Sequence, residues 1–578
     1  MDAERNSEKN ADSDRLALLG KKQVLKRRFG LVAIFGFAVC ELITWETVLA
    51  LFSQGFNNGG PAGLVYGFLI AWLSTLSVYT VISELASMAP IAGGQYYWVY
   101  MLAPTRYKKF SSYIIGWLTS LAWIATVATE TIFAGTIIQG LIILDYPDYE
   151  PKQWQGTLLA WLVVAVAIFI NVVIPGLLPK FEIFILVFHI AGFIAILSVL
   201  WVYAPHGTAS SVFATSLNEG GWPTQGLSYC VGFLGNVATF VGADASVHMA
   251  EEISNAALNI PRAICGSMIM NGLIGFAMML TVLFCLGDVE TVLGTKTGFP
   301  FIQVFYDSVN NIAGATAMGA VVLALTWACA IGITTTASRM TWSFARDRGT
   351  PFSKFISRVE PRTQVPVIAV GVVTLFACLL TLIYVGSYTA FNDVISLTIT
   401  GFYGSYFLPS AFLLYHRIKG HVAPQRSQLV DLSSDPQTTF PTGAATGIFE
   451  CDKTSKEVEG EKSDSAGDMG SMPALAPEIA EGIAQAQLIW GPWHIPGILG
   501  IINNAYACLY MIFVIFWSVW PPVTPVDAST MNYSVLVTGG VIIFSIIWYW
   551  VRGREEYKGP LIDEEVMAVM RVRSIVAM

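Results

Sequence analysis

Four acidic side chains stand inside apolar text, where an acid is costly. Glu41 and Glu46 lie in VAIFGFAVCELITWETVLALFSQG (32–55), Glu130 in ATVATETIFAG (125–135) and Asp244 in FVGADASVHMAEE (240–252). At the centre of a hydrocarbon layer such a group costs roughly 2.5 to 3.5 kcal/mol on insertion scales, and it persists mostly where it faces a cavity or a partner. There it can hold a positively charged nitrogen, or take up and release a proton. Gly242 adds a second clue, because a helix broken in mid-layer exposes free N–H groups at the start of one half and free C=O groups at the end of the other. A ligand, an ion or water must satisfy them. Trp45, with Phe240, Tyr403 and Tyr406, supplies aromatic faces of the kind that hold ammonium groups by cation–π attraction.

Each residue also has a plainer role. Asp244 follows the glycine and suits the N-cap of the half-helix ASVHMAEE. Glu46, in a first helical turn, complements the helix dipole. Glu41 lies four residues before Trp45, on the same face while the helix stays regular. It lines the path or pairs internally. Glu130, near the middle of its segment, is either a protonatable group or polar packing. His248 reads as a structural residue, and the aromatics as packing. Glu251 and Glu252 fall close to Arg262, as an ion pair or gate, and Pro261 suits the first turn of the helix that follows. The candidates for carrying a coupling proton are Glu41, Glu130 and Asp244.

The elements that must position these groups follow from composition. The chain has 578 residues, 54% hydrophobic and 12% charged, which argues for an all-α polytopic membrane protein over a soluble one. Runs of about 20 apolar residues, enough to cross roughly 30 Å of hydrocarbon, number twelve: 31–54, 62–86, 112–143, 156–175, 180–203, 226–252, 262–287, 314–345, 365–386, 388–415, 496–519 and 533–551. With the N-terminus inside, all but Lys152 and Lys296 of the 32 Lys and Arg fall on the cytoplasmic face, as retention of basic loops requires. Both termini are therefore expected in the cytoplasm. The first and sixth spans, which hold the acids and the glycine, are five apart. Transporters built from two inverted five-helix repeats place their discontinuous helices at such corresponding positions.

Residues 1–30 and 552–578 read as cytoplasmic tails, and 418–490 as a cytoplasmic loop too rich in Ser, Asp, Glu and Gly to bury a core. They flank a ten-helix core over 31–417 and a final helix pair over 491–551. The first residues show no apolar run ending in a small-residue cleavage site, so no cleaved signal peptide is expected. Eight cysteines stand singly, at 40, 230, 265, 285, 329, 378, 451 and 508. That spacing suggests neither a disulfide framework nor a zinc site. The net charge of −8 comes largely from terminal and loop acids and does not suggest nucleic acid. Asn532-Tyr533-Ser534 matches a glycosylation sequon but abuts the last span, and is expected to be unmodified.

Several motifs resemble one family. SELASMAPIAGGQYYWVYMLAP (83–104), HMAEEISNAALNIPRAI (248–264) and SRMTWSFARDRGTPF (338–352) resemble the amino acid–polyamine–organocation superfamily. LGKKQVLKRRFG (19–30), NNGGPAGLVYG (57–67), MNYSVLV (531–537) and REEYKGP (554–560) resemble its fungal branch, whose members carry amino acids, GABA or choline. The resemblance covers roughly 19–417 and 490–560. It implies a leucine-transporter-like fold: ten helices in two inverted repeats with discontinuous helices one and six, plus two further helices. Transport by alternating access, usually proton-coupled, is implied as well, with the solute between the two breaks. Carried over, the first break falls at Thr44, Trp45, Glu46 and Thr47, and the second at Phe240, Val241, Gly242, Ala243 and Asp244. Many relatives have Gly-Ser-Gly at the first break, where bare N–H groups receive a carboxylate. Here Trp45 crowds the position and an ionised Glu46 would repel one, which favours a substrate with a positive nitrogen.

The expected function is a secondary permease for a small amine or amino acid, resident in the plasma membrane or alternatively the vacuolar membrane, with no cofactor beyond a proton gradient. An exporter of an amino-acid-derived or alkaloid secondary product and a non-transporting nutrient sensor are the alternatives. An enzyme is not expected: the chain has no GxxxxGK[ST] loop, metal-ligand cluster or nucleophile–base set. GTKTGF (294–299) superficially matches an ion-pump phosphorylation motif without its Asp.

Overall fold

The structure, a computed structural model, describes residues 12, 16, 17, 19–424, 488–528 and 530–561. Most of the expected 418–490 loop, including Cys451, half of the expected N-terminal tail and most of the C-terminal one lie outside the described residues. The chain forms two compact units, 1–419 with 491–578, and 420–490. In the second, Val422–Ala423 (β1) and Leu488–Ile489 (β2) pair as parallel strands.

The first unit is built from helices that are apolar nearly all round, as segments packed between protein and lipid must be. In chain order they are α1 (Leu31–Leu42), α2 (Thr44–Ala50), α3 (Gly60–Met88), α4 (Gln95–Leu102), α5 (Lys108–Asp145), α6 (Gln153–Val173), α7 (Leu178–Tyr203) and α8 (Gln225–Ala238). These are followed by α9 (Ala245–His248), α10 (Ala256–Phe284), α11 (Ile312–Arg346), α12 (Val367–Gly386), α13 (Tyr388–Ile418), α14 (Gly497–Trp517) and α15 (Ser534–Trp548). Local chemistry sets several starts. Asn311 Oδ1 accepts the Gly314 N–H at 2.9 Å ahead of α11, and Thr224 Oγ1 accepts that of Leu227 at 3.3 Å ahead of α8.

Among the described residues, eleven helices, counting α1 and α2 as one, are long and apolar enough to cross a membrane. Expected span 226–252 is not among them, because it breaks into α8, α9 and a 3₁₀ turn at Ala250–Glu252. The protein is an integral membrane protein with a discontinuous first and sixth helix. α5 runs among α4, α6, α11 and α13. Close approach there needs small residues: a Cβ on Gly135 would lie 2.7 Å from the Ala160 nitrogen of α6.

Three local expectations are corrected. α10 begins at Ala256, so Pro261 sits inside it and not in the first turn. Arg262 is exposed, and the acids before it turn the other way: Glu251 meets Arg346 at 2.6 Å and Glu252 meets Arg339 at 2.8 Å, both arginines on α11. The cluster also captures the N-terminal segment. Arg28 and Phe29 donate backbone N–H groups to Glu252 O at 2.8 and 3.1 Å, while Lys21 pairs with Asp347. Burial pulls the Lys21 ammonium below its usual pKa, with Asp347 opposing the shift. Thirdly, the Asp244 side chain makes no capping bond to α9.

The Asn532 amide is 3% exposed and donates to Ser518 O and Trp520 O, each at 3.1 Å. A glycan replaces one of the two amide hydrogens, so it would have to break at least one of these bonds inside the buried site. Glycosidase treatment of protein expressed in a eukaryotic host is therefore expected to leave its mobility unchanged. A shift that disappears in Asn532→Gln would contradict this burial.

Candidate functional site

Two chain breaks face one another in the middle of the bundle. The first lies at Ile43, with φ 29° and ψ 49°, one residue before the expected stretch, so Thr44 to Thr47 form the first turn of α2. A β-branched residue with positive φ is strained. It persists because its neighbours hold it: Ile43 N–H bonds Val39 O at 3.2 Å, and Thr47 N–H and Oγ1 both reach Ile43 O at 2.9 Å. The second break runs from Thr239 to Asp244, with Gly242 at φ 116°. A Cβ on Gly242 would lie 3.0 Å from Glu41 O, so the interrupted helices meet backbone to backbone where only glycine fits.

Asp244 is clamped. Gln95 Nε2 on α4 donates to its Oδ2 at 2.7 Å, and the Tyr406 hydroxyl on α13 donates to Oδ1 at 2.5 Å. Tyr79 on α3 packs its ring 5.9 Å from Tyr406 and accepts the Gly242 N–H at 3.0 Å. The acid thus ties α9 to two other helices. His248 fits the structural role read from the sequence, with Nδ1 2.8 Å from Ala92 O and its ring edge-on to Trp123 at 5.6 Å.

Beside the breaks lies a small cavity. Glu41, Leu42, Ile43, Thr47 and Leu51 line it from the first helix, Thr126, Thr129, Glu130 and Phe133 from α5, and Ala238 and Val241 from the second break region. Ile333 of α11 and Ile395, Thr398 and Ile399 of α13 close it. Both Glu41 carboxylate oxygens and Glu130 Oε2 are buried with no hydrogen-bond partner among the described residues. The hydroxyls of Thr47, Thr126, Thr129 and Thr398 each donate their single proton to a backbone carbonyl four residues back, at 2.8 to 3.0 Å. What these hydroxyls still present to the cavity is lone pairs. With Glu41 and Glu130 ionised, the polar lining side chains offer acceptors: two carboxylates and four threonine oxygens.

Of the residues expected at the site, Glu41, Thr47, Glu130 and Val241 line this cavity; Thr44, Trp45, Glu46, Phe240, Gly242, Ala243 and Asp244 do not. The four aromatics do not converge into a cage. Trp45 packs 5.8 Å from His189 and 6.4 Å from Phe193, both on α7, whereas Phe240 packs 4.8 Å from Phe68. Tyr403 bonds Thr75 at 3.0 Å and packs against Tyr510. Glu46 likewise faces α7, where its Oε1 meets His189 Nδ1 at 2.7 Å. The reason is helical phase: with the break at Ile43, α2 turns Thr47 to the cavity and Trp45 and Glu46 toward α7.

Sequence reading passed over Glu182, His189, Gln95 and Tyr79. The first two were detectable, since they interrupt the apolar run LPKFEIFILVFHIAG (178–192) seven residues apart and so share a face. Gln95 and Tyr79 carry no local signal, and only their approach to Asp244 and Gly242 marks them.

A chain crossing a membrane many times, with two helices broken against each other around a buried polar cavity, has the build of a solute carrier. The amino acid permease family model matches residues 29–451, and the chain belongs to that family. A putative amino acid/polyamine transporter of Macrophomina phaseolina is 32% identical over 67% of this chain and 85% of its own. The choline transporter of Saccharomyces cerevisiae is 27% identical over 92% of this chain and 83% of its own, and the GABA-specific permease of the same yeast 30% over 70% and 72%. The protein is a secondary transporter for small nitrogenous solutes.

Proposed function

We propose that the transported solute is a small organic cation of the choline or amine type, held between the two breaks and carried by alternating access into the cell with protons. The observation that carries this reading is the chemistry of the cavity wall. Two ionised carboxylates without partners and threonine oxygens whose protons are committed elsewhere can receive a positive nitrogen, and in that state their side chains give a substrate carboxylate nothing to bind. Phe133 adds an aromatic face. The extended similarity to a choline transporter supports the same class. Asp244 acts by position, fixing the second break through Gln95 and Tyr406. The distribution of Lys and Arg supports cytoplasmic termini, and the plasma membrane is the proposed residence.

Purified protein reconstituted in liposomes tests this, with labelled choline, GABA, and basic and neutral amino acids offered with and without an inward proton gradient. Choline or a basic amine is expected to enter with gradient stimulation. Glu41→Gln and Glu130→Gln are each expected to cut that uptake about tenfold or more, since a hydrogen bond to a charged group is worth about 1.5 to 3 kcal/mol. Preferred uptake of neutral amino acids, indifferent to both substitutions, would sink the cationic assignment. Absence of flux for every solute would favour the sensor.

A further inference from the structure

The solute cavity leaves one buried ionisable pair unused. Glu46 on α2 and His189 on α7 are 1% and 0% exposed and meet at 2.7 Å. Glu46 Oε2 and His189 Nε2, the outer atoms of the pair, have no hydrogen-bond partner among the described residues. We propose that Glu46 and His189 together form the site that carries the coupling proton, where α2 meets α7. The proposal rests on the transport reading above and replaces Glu41, Glu130 and Asp244 as proton carriers.

The chemistry follows from the contact. At 2.7 Å one hydrogen must lie between Nδ1 and Oε1. With Glu46 ionised and His189 neutral, that hydrogen is on Nδ1, Nε2 keeps its lone pair, and the pair has one net negative charge. A proton bound at Nε2 makes a carboxylate beside an imidazolium, with no net charge. Release is the reverse: the proton leaves from Nε2, and the hydrogen shared by Nδ1 and Oε1 stays in place. Only N–H and O–H bonds form and break. An uncompensated charge is costly in low dielectric while a hydrogen-bonded neutral pair is less so, so the loaded pair tolerates rearrangement inside the membrane better than the empty one.

The surroundings preserve this difference. The ionisable neighbours facing the pair are an acid and two thiols, Glu130 from α5, Cys40 from α1 and Cys329 from α11, with Glu41 and Glu182 beyond the thiols. Arg262 of α10 and Asp307 of the helix Pro300–Val309, which also packs on α7, are exposed. Phe52–Asn57, against α2, carries no charged residue. Apart from Arg262, which is exposed, none of these is a basic group, so none replaces the proton. Coupling to the solute has a short route, because Thr47, next to Glu46 on the same helical turn, lines the cavity and Glu46 ties that turn to α7.

The test separates driven accumulation from exchange in liposomes, using choline or whichever cation the wild type carries. At one proton per solute a pH difference of one unit sustains about tenfold accumulation. Glu46→Gln and His189→Gln are expected to lose accumulation, with inside and outside concentrations equal, while counterflow exchange at equal pH continues near the wild-type rate. Accumulation retained in either variant overturns the proposal. Loss of exchange as well overturns it too, because the pair would then serve translocation itself. If the wild type moves none of the cations, the transport reading fails, and the pair is judged on the purified protein by infrared pH titration. A titrating imidazolium band that is missing in His189→Gln and displaced in Glu46→Gln supports the pair as a proton site; no titrating imidazolium band overturns it.

Discussion

Gly242→Ala is expected to lower initial uptake by about tenfold or more at equal membrane insertion, with the helix content of the purified protein unchanged. Two costs act on the same atom. The backbone φ of 116° is one that L side chains rarely adopt, and a residue held in such a region costs on the order of 1 to 3 kcal/mol. The added Cβ would also stand 3.0 Å from Glu41 O, a backbone atom of the facing helix that cannot rotate away. Relief requires the second break to withdraw from the first, which moves Val241 in the cavity wall and loosens the Gly242 N–H bond to Tyr79. Since about 1.4 kcal/mol is a factor of ten, the penalty is read directly as lost rate. Wild-type uptake by Gly242→Ala would mean that the breaks do not touch in the working protein.

The second large effect concerns stability. Arg339 and Glu252 are 1% and 4% exposed and meet at 2.8 Å, and removing one member of such a pair leaves a buried charge without a partner, at about 3 to 5 kcal/mol. Glu252→Ala or Arg339→Ala is therefore expected to lower the thermal midpoint of the purified protein markedly. The double variant Glu252→Met with Arg339→Met should recover most of the loss, because apolar side chains of similar volume replace the pair without stranding either charge. Midpoint losses that simply add in the double variant would show that the two side chains act independently. The effect extends beyond the pair, since Glu252 O also receives the N–H groups of Arg28 and Phe29, so the pair helps to hold the N-terminal segment.

Much of the architecture was legible because the bilayer imposes a simple rule. Helices such as 156–175 and 180–203 announce themselves by length and apolarity, and the observed Gln153–Val173 and Leu178–Tyr203 differ from them by a few residues. The second break was legible for a local reason, because Gly242 within an apolar run is the residue that supplies the backbone angle the break requires. Ile43 was not legible, since nothing about an isoleucine in ELITWET signals positive φ. That single-residue shift in the first break turned Trp45 and Glu46 away from the cavity and dispersed the expected aromatic cage.

What the sequence determined by itself is therefore whatever depends on local chain chemistry: a membrane bundle, two interrupted helices five apart, and acids placed near the interruptions. What only the tertiary structure decided is which of those acids meet. Glu41 and Glu130 share a wall, Glu46 finds His189, Asp244 is held by Gln95 and Tyr406, and Glu251 and Glu252 pass over Arg262 for Arg346 and Arg339. The physical reason is that an acid's tolerance of the bilayer is a local property of its segment, while its partner is set by helical phase and by which helices lie alongside. A shift of one residue rotates a side chain by about 100° around its helix, enough to exchange a cavity for a neighbour.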